Sequence, residues 1–368
     1  MNLREAIEVL RKSPLFNLSI SSKELFHSNF LYWLWQIQPE MFKMVMQELG
    51  ADTSTWGENY EVYRERDNWD LSVWVDKQCL FILENKVKSI PRCAQLDGYY
   101  QEGRSHMLLS LVTEFPEKDK MKEKWVIKNY EDLAQAIEGE FTIEDEYHAR
   151  IVKDYCTFIK GLHALCRSWQ VDVQSCYRLI DSDKDISQLR MADLREKLRN
   201  AQIVGVLGEK LDEMFDRKLT FGKKIEEIDG CIPGEDIFTN FGLTRSQGFI
   251  EVKVKINSAF VLLVQIQGKQ YRHGIEWREK GSYSDAVWWD KTKDILAQSG
   301  FFSFNEDRSA KYPACIGKQT EQSKEYCKYG DRFLYQYINL GEQSVQEVIN
   351  AICEDVKAMF KIADDLVL

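Results

Sequence analysis

No stretch of the sequence approaches the roughly 18 uninterrupted apolar residues that a membrane helix needs, so no membrane partner is expected. The opening MNLREAIEVLRK has neither an apolar block nor a small-residue cleavage site. It reads as an amphipathic, mixed-charge helix rather than a secretory signal, and a cytoplasmic location is the expectation. Paired cysteines are missing as well. The nine cysteines (79, 93, 156, 166, 176, 231, 315, 327 and 353) are scattered, odd in number and free of any C-x-x-C, so neither a disulfide framework nor a zinc ribbon is indicated. Histidine is scarce: five dispersed residues assemble neither a His-based metal cluster nor a serine triad. There is no Walker A loop, no G-x-G-x-x-G and no H-E-x-x-H. Positive charge is in deficit too, and a net charge of −10 argues against a protein that coats nucleic acid, although it leaves room for a local basic cleft.

What is present is ample core material, 44% hydrophobic with 29% charged residues, in a chain of 368. That length exceeds what one ordinary core supports, so two domains of roughly 150 to 200 residues are expected. The polar stretch DSDKDISQ at 181–188 is the best boundary, giving domains 1–180 and 181–368.

Helical spacing marks residues 1–12, then a second segment from Ser21 through FHSNFLYWLWQI, and MFKMVMQELG after Pro39. The period then changes to that of strands in 60–66 (YEVYRER), 69–75 (WDLSVWV) and 79–87 (CLFILENKV). CAQLDGYYQEG after Pro91 is a helical candidate, HMLLSLVTEF a strand-length apolar run, and 130–138 and 144–169 are helices. In the second half a helix over 187–216 precedes GFIEVKVKI, AFVLLVQIQ and KQYRHGIEW, which read as an antiparallel meander. YSDAVWWDKTKDILAQSG is helical, DRFLYQYINL a strand, and SVQEVINAICEDVKAMFKIADDL a closing helix. The fold class is thus α/β in the broad sense, an α+β arrangement in each half.

The chemistry gathers at the third strand. Side chains alternate along a strand, so Ile82, Glu84 and Lys86 share one face. On the preceding strand Asp70, Ser72 and Trp74 share a face, and a hairpin centred on Lys77 places Asp70 across from Glu84, whereas one centred on Gln78 places it across from Lys86. Two carboxylates and an ammonium at the end of a largely apolar strand suit a hard divalent cation, Mg²⁺ or Mn²⁺, with the Asn85 backbone carbonyl as a further oxygen donor. Lys86 would orient or deprotonate a water and stabilise charge on a phosphate. The plain alternative is a structural ion pair at a strand end.

A control lies in the same chain. Glu251 and Lys253 also spell E-x-K, with Asp236 upstream, but Glu251, Lys253 and Lys255 alternate with Ile250, Val252, Val254 and Ile256 as on a half-exposed strand with a solvated face. The intervening FTNFGLTRSQG, with two glycines, reads as a poor partner strand. Only the first E-x-K is followed by a helix carrying Gln95 and Tyr99 four residues apart on one face.

Asp70, then Glu84-Asn85-Lys86, then Gln95-x-x-x-Tyr99 resembles the PD-(D/E)XK nuclease superfamily, in its bacterial branch with a Q-x-x-x-Y helix. KELFHSNFLYWL resembles the opening of one such family. The resemblance covers about residues 20 to 115, and Trp69 stands where that superfamily usually has proline. It implies a restriction-endonuclease-like core, a mixed sheet flanked by helices, and Mg²⁺-dependent hydrolysis of DNA phosphodiester bonds in restriction, repair or anti-phage defence. Asp70 and Glu84 would be metal ligands and Lys86 the water-positioning residue. Gln95 and Tyr99 would orient the site or touch phosphate. Glu24 would face the metal by the same resemblance, but Ser21-x-x-Glu24 also spells a capping box, and His27 reads as a buried, satisfied histidine. Trp288-Trp289 and Tyr271-Arg272-His273 read as packing residues with stacking as the alternative. A binding module for nucleic acid, nucleotide or protein that keeps the fold without cleaving is the rival reading, and RNA or a small nucleotide a rival substrate. A homodimer is compatible with the sequence.

Overall fold

A computed structural model of the chain describes residues 1–19, 23–177, 184–216, 220–221, 237–244, 247–256, 260–277, 301, 318–319, 327–329 and 333–366. Two compact units divide it: Met1–Gln170 with Ser182–Leu198, and Val171–Asp181 with Arg199–Leu368. Residues 173–177 join the second unit through backbone hydrogen bonds, Tyr177 N–H to the Gln343 carbonyl and Val345 N–H to the Ser175 carbonyl among them.

In the first unit the elements run α1 (Leu3–Lys12), α2 (Pro14–Ser19), α3 (Lys23–Ile37), α4 (Pro39–Glu48), β1 (Glu61–Arg66), β2 (Trp69–Val75), β3 (Gln78–Lys86), α5 (Cys93–Tyr99), β4 (Ser105–Ser110), β5 (Val126–Asn129), α6 (Tyr130–Gly139), α7 (Glu146–Arg167) and α8 (Lys184–Gln188). The five strands form one mixed sheet in sequence order, antiparallel from β1 to β3 and parallel from β3 to β5. Helices flank it, and α3 packs against β1, β2 and β3. This is the mixed, helix-flanked sheet expected for the first half. The 187–216 helix is shorter than expected: α8 stops at Gln188, Arg190 turns with φ 54°, and α9 spans Ala192–Phe215.

The second unit contains β6 (Thr220–Phe221), β7 (Ile237–Thr244), β8 (Gln247–Lys255), β9 (Phe260–Gln267), β10 (Gln270–Trp277), β11 (Lys318–Gln319), β12 (Cys327–Tyr329), β13 (Phe333–Asn339) and α10 (Val345–Leu366). They build an eight-stranded sheet in the order β11-β13-β10-β9-β8-β7-β6, with β12 beside β13. The β8-β9-β10 meander is as expected, and α10 packs on β8 and β9. YSDAVWWDKTKDILAQSG, with Trp288 and Trp289, lies outside the described residues.

Two expectations fail here. The segment expected to be a poor partner strand is β7, paired with β8 from Ile237↔Val254 to Thr244↔Gln247. Gly242 is tolerated because the Phe249 ring fills its place: a Cβ there would stand 2.8 Å from that ring. The second error is the solvated face. Glu251, Lys253 and Lys255, on a strand interior to the sheet, are buried. Their charges are matched instead of hydrated, with Lys253 Nζ 3.1 Å from Glu251 and 2.9 Å from Glu276.

Candidate functional site

The hairpin joining β2 and β3 decides which side chains meet. Val75 pairs with Gln78 across a two-residue turn, Asp76-Lys77, with φ 49° and 68°. Positive φ at both central residues is what a tight hairpin matching the strand twist requires. That turn alone would pair Asp70 with Leu83 and so put it on the wrong face. A β-bulge between Val73 and Trp74 corrects this: Trp74 pairs with Cys79 but Val73 with Phe81, leaving Leu80 extra. Beyond the bulge Ser72 faces Ile82 and Leu71 faces Leu83, so Asp70 comes across from Glu84. Of the two pairings the sequence left open, Asp70 across from Glu84 is found, reached by a two-residue turn and a bulge instead of a turn centred on Lys77.

Glu84 and Lys86 are 3% and 8% exposed, which makes them core side chains rather than a solvated strand end. The Lys86 ammonium donates to Glu84 Oε1 at 2.7 Å. Gln95, on α5, donates to the same oxygen at 3.4 Å and to the Tyr99 hydroxyl at 3.2 Å. The i, i+4 spacing on α5 therefore delivers both residues to the carboxylate side of the sheet. Asp70 Oδ2 accepts from the Asn85 backbone N–H at 2.6 Å. The Lys86 carbonyl accepts from Leu111 on the β4 side, so by strand alternation the Asn85 N–H and carbonyl face Asp70.

Electrostatics set this pair apart. Burial, then the charge of Asp70, pushes Glu84 from an ordinary 4.5 up to about 7, against the pull of Lys86. Burial likewise raises Asp70 from 3.8 to about 6, opposed by the Asn85 N–H and Lys86 and reinforced by Glu65 and Glu24. For Lys86, burial acts downward, but Glu84, Glu24 and Asp70 outweigh it and hold the ammonium above the ordinary lysine value. Lys86 is therefore a held cation, suited to donate hydrogen bonds rather than to take a proton.

Glu24 adds its charge to the site and also holds the chain beside it. Its carboxylate accepts from Ser89 Oγ at 2.7 Å and Val87 N–H at 3.3 Å, tying α3 to the segment after β3. Ser21, the other half of the capping-box reading, lies outside the described residues. His27 is a satisfied core histidine: Nδ1 lies 3.0 Å from the Tyr155 hydroxyl, and burial lowers its pKa to about 3, leaving it neutral.

Two contributions escaped sequence reading, the side chain of Asn85, of which only the carbonyl was considered, and Glu65. Asn85, between Glu84 and Lys86, turns its fully buried side chain to the opposite face, donating to Ser28 Oγ at 2.7 Å and accepting from Tyr130 OH at 3.3 Å. A polar residue amid Phe81, Leu83 and Val87 was the available signal. Glu65 lies across from Asp70, between the Arg64↔Leu71 and Arg66↔Trp69 pairs, and its charge bears on Asp70. The same hairpin arithmetic, applied one turn earlier, finds it.

Whether a divalent cation fits can be judged from the donors. Among the described residues no group of three or more His, Cys, Asp or Glu side chains stands together as a metal cluster. The site offers two carboxylates, and Asp70 Oδ1 and Glu84 Oε2 take no protein hydrogen bond among the described residues. Two hard oxygens, the Asn85 carbonyl and water make a donor set Mg²⁺ accepts, and a cation there would offset the burial and, after it, the neighbouring negative charges that raise both carboxyls. The second E-x-K lacks this. Opposite Glu251 stands Asn240, whose amide donates to Glu251 at 3.2 Å, so one carboxylate meets an amide instead of another carboxylate. Compared with protein-family models, curated proteins and solved structures, the chain matches none.

Proposed function

We propose that the first unit is a Mg²⁺-dependent nuclease acting on DNA phosphodiester bonds, with Asp70, Glu84 and Lys86 as its catalytic residues. The observation that carries this reading is the Asp70–Glu84 pair: a half-buried and a buried carboxylate set across a hairpin, each keeping an oxygen free of protein hydrogen bonds among the described residues, with an ammonium beside them. In the buried ion pair of Lys253 both carboxylates, Glu251 and Glu276, bond the ammonium, whereas Lys86 bonds Glu84 alone and Asp70 is left with the Asn85 N–H. The second carboxylate raises the free energy of the empty site, which is the signature of a group kept for a ligand.

A divalent cation on Asp70, Glu84 and the Asn85 carbonyl would supply Lewis acidity toward a phosphoryl oxygen and acidify the attacking water. The protein's own part follows from its geometry. Lys86, held protonated, donates to that water and to the phosphoryl oxygen on which charge develops. Gln95 fixes Glu84 Oε1, so Oε2 stays turned to the substrate side, and Tyr99 braces Gln95. The rival reading, a non-cleaving binding module, draws its support from the engagement of Glu84 Oε1 by both Lys86 and Gln95.

The test is incubation of the purified chain with linear and circular DNA and with RNA, in Mg²⁺, in Mn²⁺ and in chelator, beside Lys86→Ala. Metal-dependent cutting of DNA that Lys86→Ala abolishes is the expected result. Cutting that survives the substitution would refute the assignment, and cleavage of RNA alone would move the substrate.

A further inference from the structure

Strand alternation divides Tyr271-Arg272-His273, which the sequence presented as a block. Tyr271 and His273 turn to the face covered by α10, where the Tyr271 hydroxyl donates to Asp355 Oδ2 at 2.6 Å and His273 Nε2 lies 2.7 Å from the same oxygen. Both are core residues. Arg272 turns the other way and is only half-buried.

Among the described residues every partner of Arg272 is neutral. Its Nε and one NH2 hydrogen go to Gln270 Oε1 at 2.9 and 2.5 Å, and NH1 goes to Gln265 and Gln267 at 2.9 and 2.5 Å. The guanidinium carbon sits 4.6 Å from the centroid of the Tyr335 ring. Among the described residues no carboxylate pairs with it, whereas Lys253 on the same sheet face has two. Three glutamines thus fix the plane of a guanidinium without neutralising it, leaving one N–H over. A half-buried charge without a counter-charge is costly, and the remaining N–H with the charge behind it can meet one phosphate oxygen.

Beside it runs a row of rings. Phe333, Tyr335 and Tyr337 alternate onto this face of β13, with Tyr337 opposite Arg272 and Tyr335 opposite Gly274. Phe333 and Tyr335 stack at 5.1 Å and 19°, and Tyr335 and Tyr337 stand 6.2 Å apart. All three are half-exposed. Gly274 makes room for the row: a Cβ there would stand 2.6 Å from the Phe333 ring and 3.1 Å from the Leu334 carbonyl.

We propose that this face of the second unit, Arg272 with Phe333, Tyr335 and Tyr337, binds single-stranded nucleic acid, with bases on the rings and a phosphate on the guanidinium. An acidic peptide would answer the charge of Arg272 but leave three half-exposed rings without purpose. A polynucleotide alternates anionic phosphates with flat apolar bases and uses both. The proposal stands independently of cleavage by the first unit.

The experiment uses the full chain carrying Lys86→Ala, in chelator, with a labelled oligothymidylate followed by fluorescence anisotropy. Competitors are the same-length duplex and polyglutamate. Single strand is expected to bind in preference to both. Tyr335→Ala and Arg272→Gln should each weaken binding about five- to a hundredfold, while Tyr335→Phe leaves it unchanged. Arg272→Gln should also reduce the slope of log affinity against log salt by about 0.7. Circular dichroism checks folding, and Tyr337→Ala repeats the test at the neighbouring ring if Tyr335→Ala is unfolded. Absence of binding, binding indifferent to these variants, or equal competition by polyglutamate would each overturn the proposal. Because the probe is bound and not cut, none of these results depends on the nuclease reading.

Discussion

Replacing Glu84 by glutamine is expected to stabilise the metal-free protein at pH 8 while removing its capacity to hold a cation. In the native state Glu84 titrates near 7 instead of an ordinary 4.5, because burial and then Asp70 oppose its charge. Between those values the native state binds more protons than the unfolded chain, so stability falls as pH rises through that window. The step from 4.5 to about 7, at about 1.36 kcal/mol per pH unit, comes to about 3 kcal/mol of destabilisation at pH 8. That figure already contains the opposing attraction of Lys86. It is an upper value because Asp70 and Glu84 share one repulsion. Glutamine keeps the shape and removes the charge. Urea denaturation in chelator should therefore find Glu84→Gln more stable than the parent by about 2 kcal/mol at pH 8, with the difference gone by pH 4.5. Added Mg²⁺ should stabilise the parent in proportion to RT ln(1 + [L]/Kd) and leave the variant unmoved. A variant less stable than the parent at pH 8 would show that Glu84 is a net stabilising partner of Lys86, and the repulsion argument would fall.

Removing Glu24 with Glu24→Ala should cost about 1–2 kcal/mol through the lost bonds to Val87 and Ser89. Its Mg²⁺-dependent thermal shift should persist, and loss of that shift would make Glu24 a ligand. Asn85→Leu should lower stability by about 2 kcal/mol, equally at pH 5 and pH 8, because it strips the Ser28 and Tyr130 hydroxyls of a buried partner and touches no charge; a pH-dependent loss would contradict this. In the second unit, Gly274→Ala should destabilise by about 1–3 kcal/mol as its methyl meets the Phe333 ring and the Leu334 carbonyl. Pairing it with Phe333→Ala should recover part of the loss, and strict additivity of the two would rule out the clash.

How far the sequence reaches can be judged from β3 and β8, which carry nearly the same letters. Alternation correctly placed Glu84 and Lys86 together, and the i, i+4 spacing correctly placed Gln95 with Tyr99. The register of the hairpin was out of reach, because nothing in the letters at 78–80 announces a bulge at Leu80. On β8 alternation was read as a solvated face, since charge and apolarity alternate there. A single strand does not reveal its neighbours, and here Asn240 on β7, Gln265 on β9 and Glu276 on β10 hold Glu251 and Lys253 in a buried polar array. β7 itself was missed because Gly242 argues locally against a strand, while the Phe249 ring that makes it one arrives from the next strand. Local rules failed wherever a partner across the sheet had the deciding vote.

The bulge at Leu80 also means that the acidic pair depends on how residues are paired as well as on their identities. Deleting Leu80 would straighten the ladder and still leave Asp70 across from Glu84, whereas keeping Leu80 but pairing it with Val73 instead of bulging it would set Asp70 across from Leu83, on the opposite surface of the sheet, with Asp70, Glu84, Lys86, Gln95 and Tyr99 all still in the chain. A protein with every site residue intact would be blind to metal. Among chains that carry these same letters, the number of residues between the aspartate and the E-x-K, together with the turn and bulge that spend them, separates a working hairpin from a mute one.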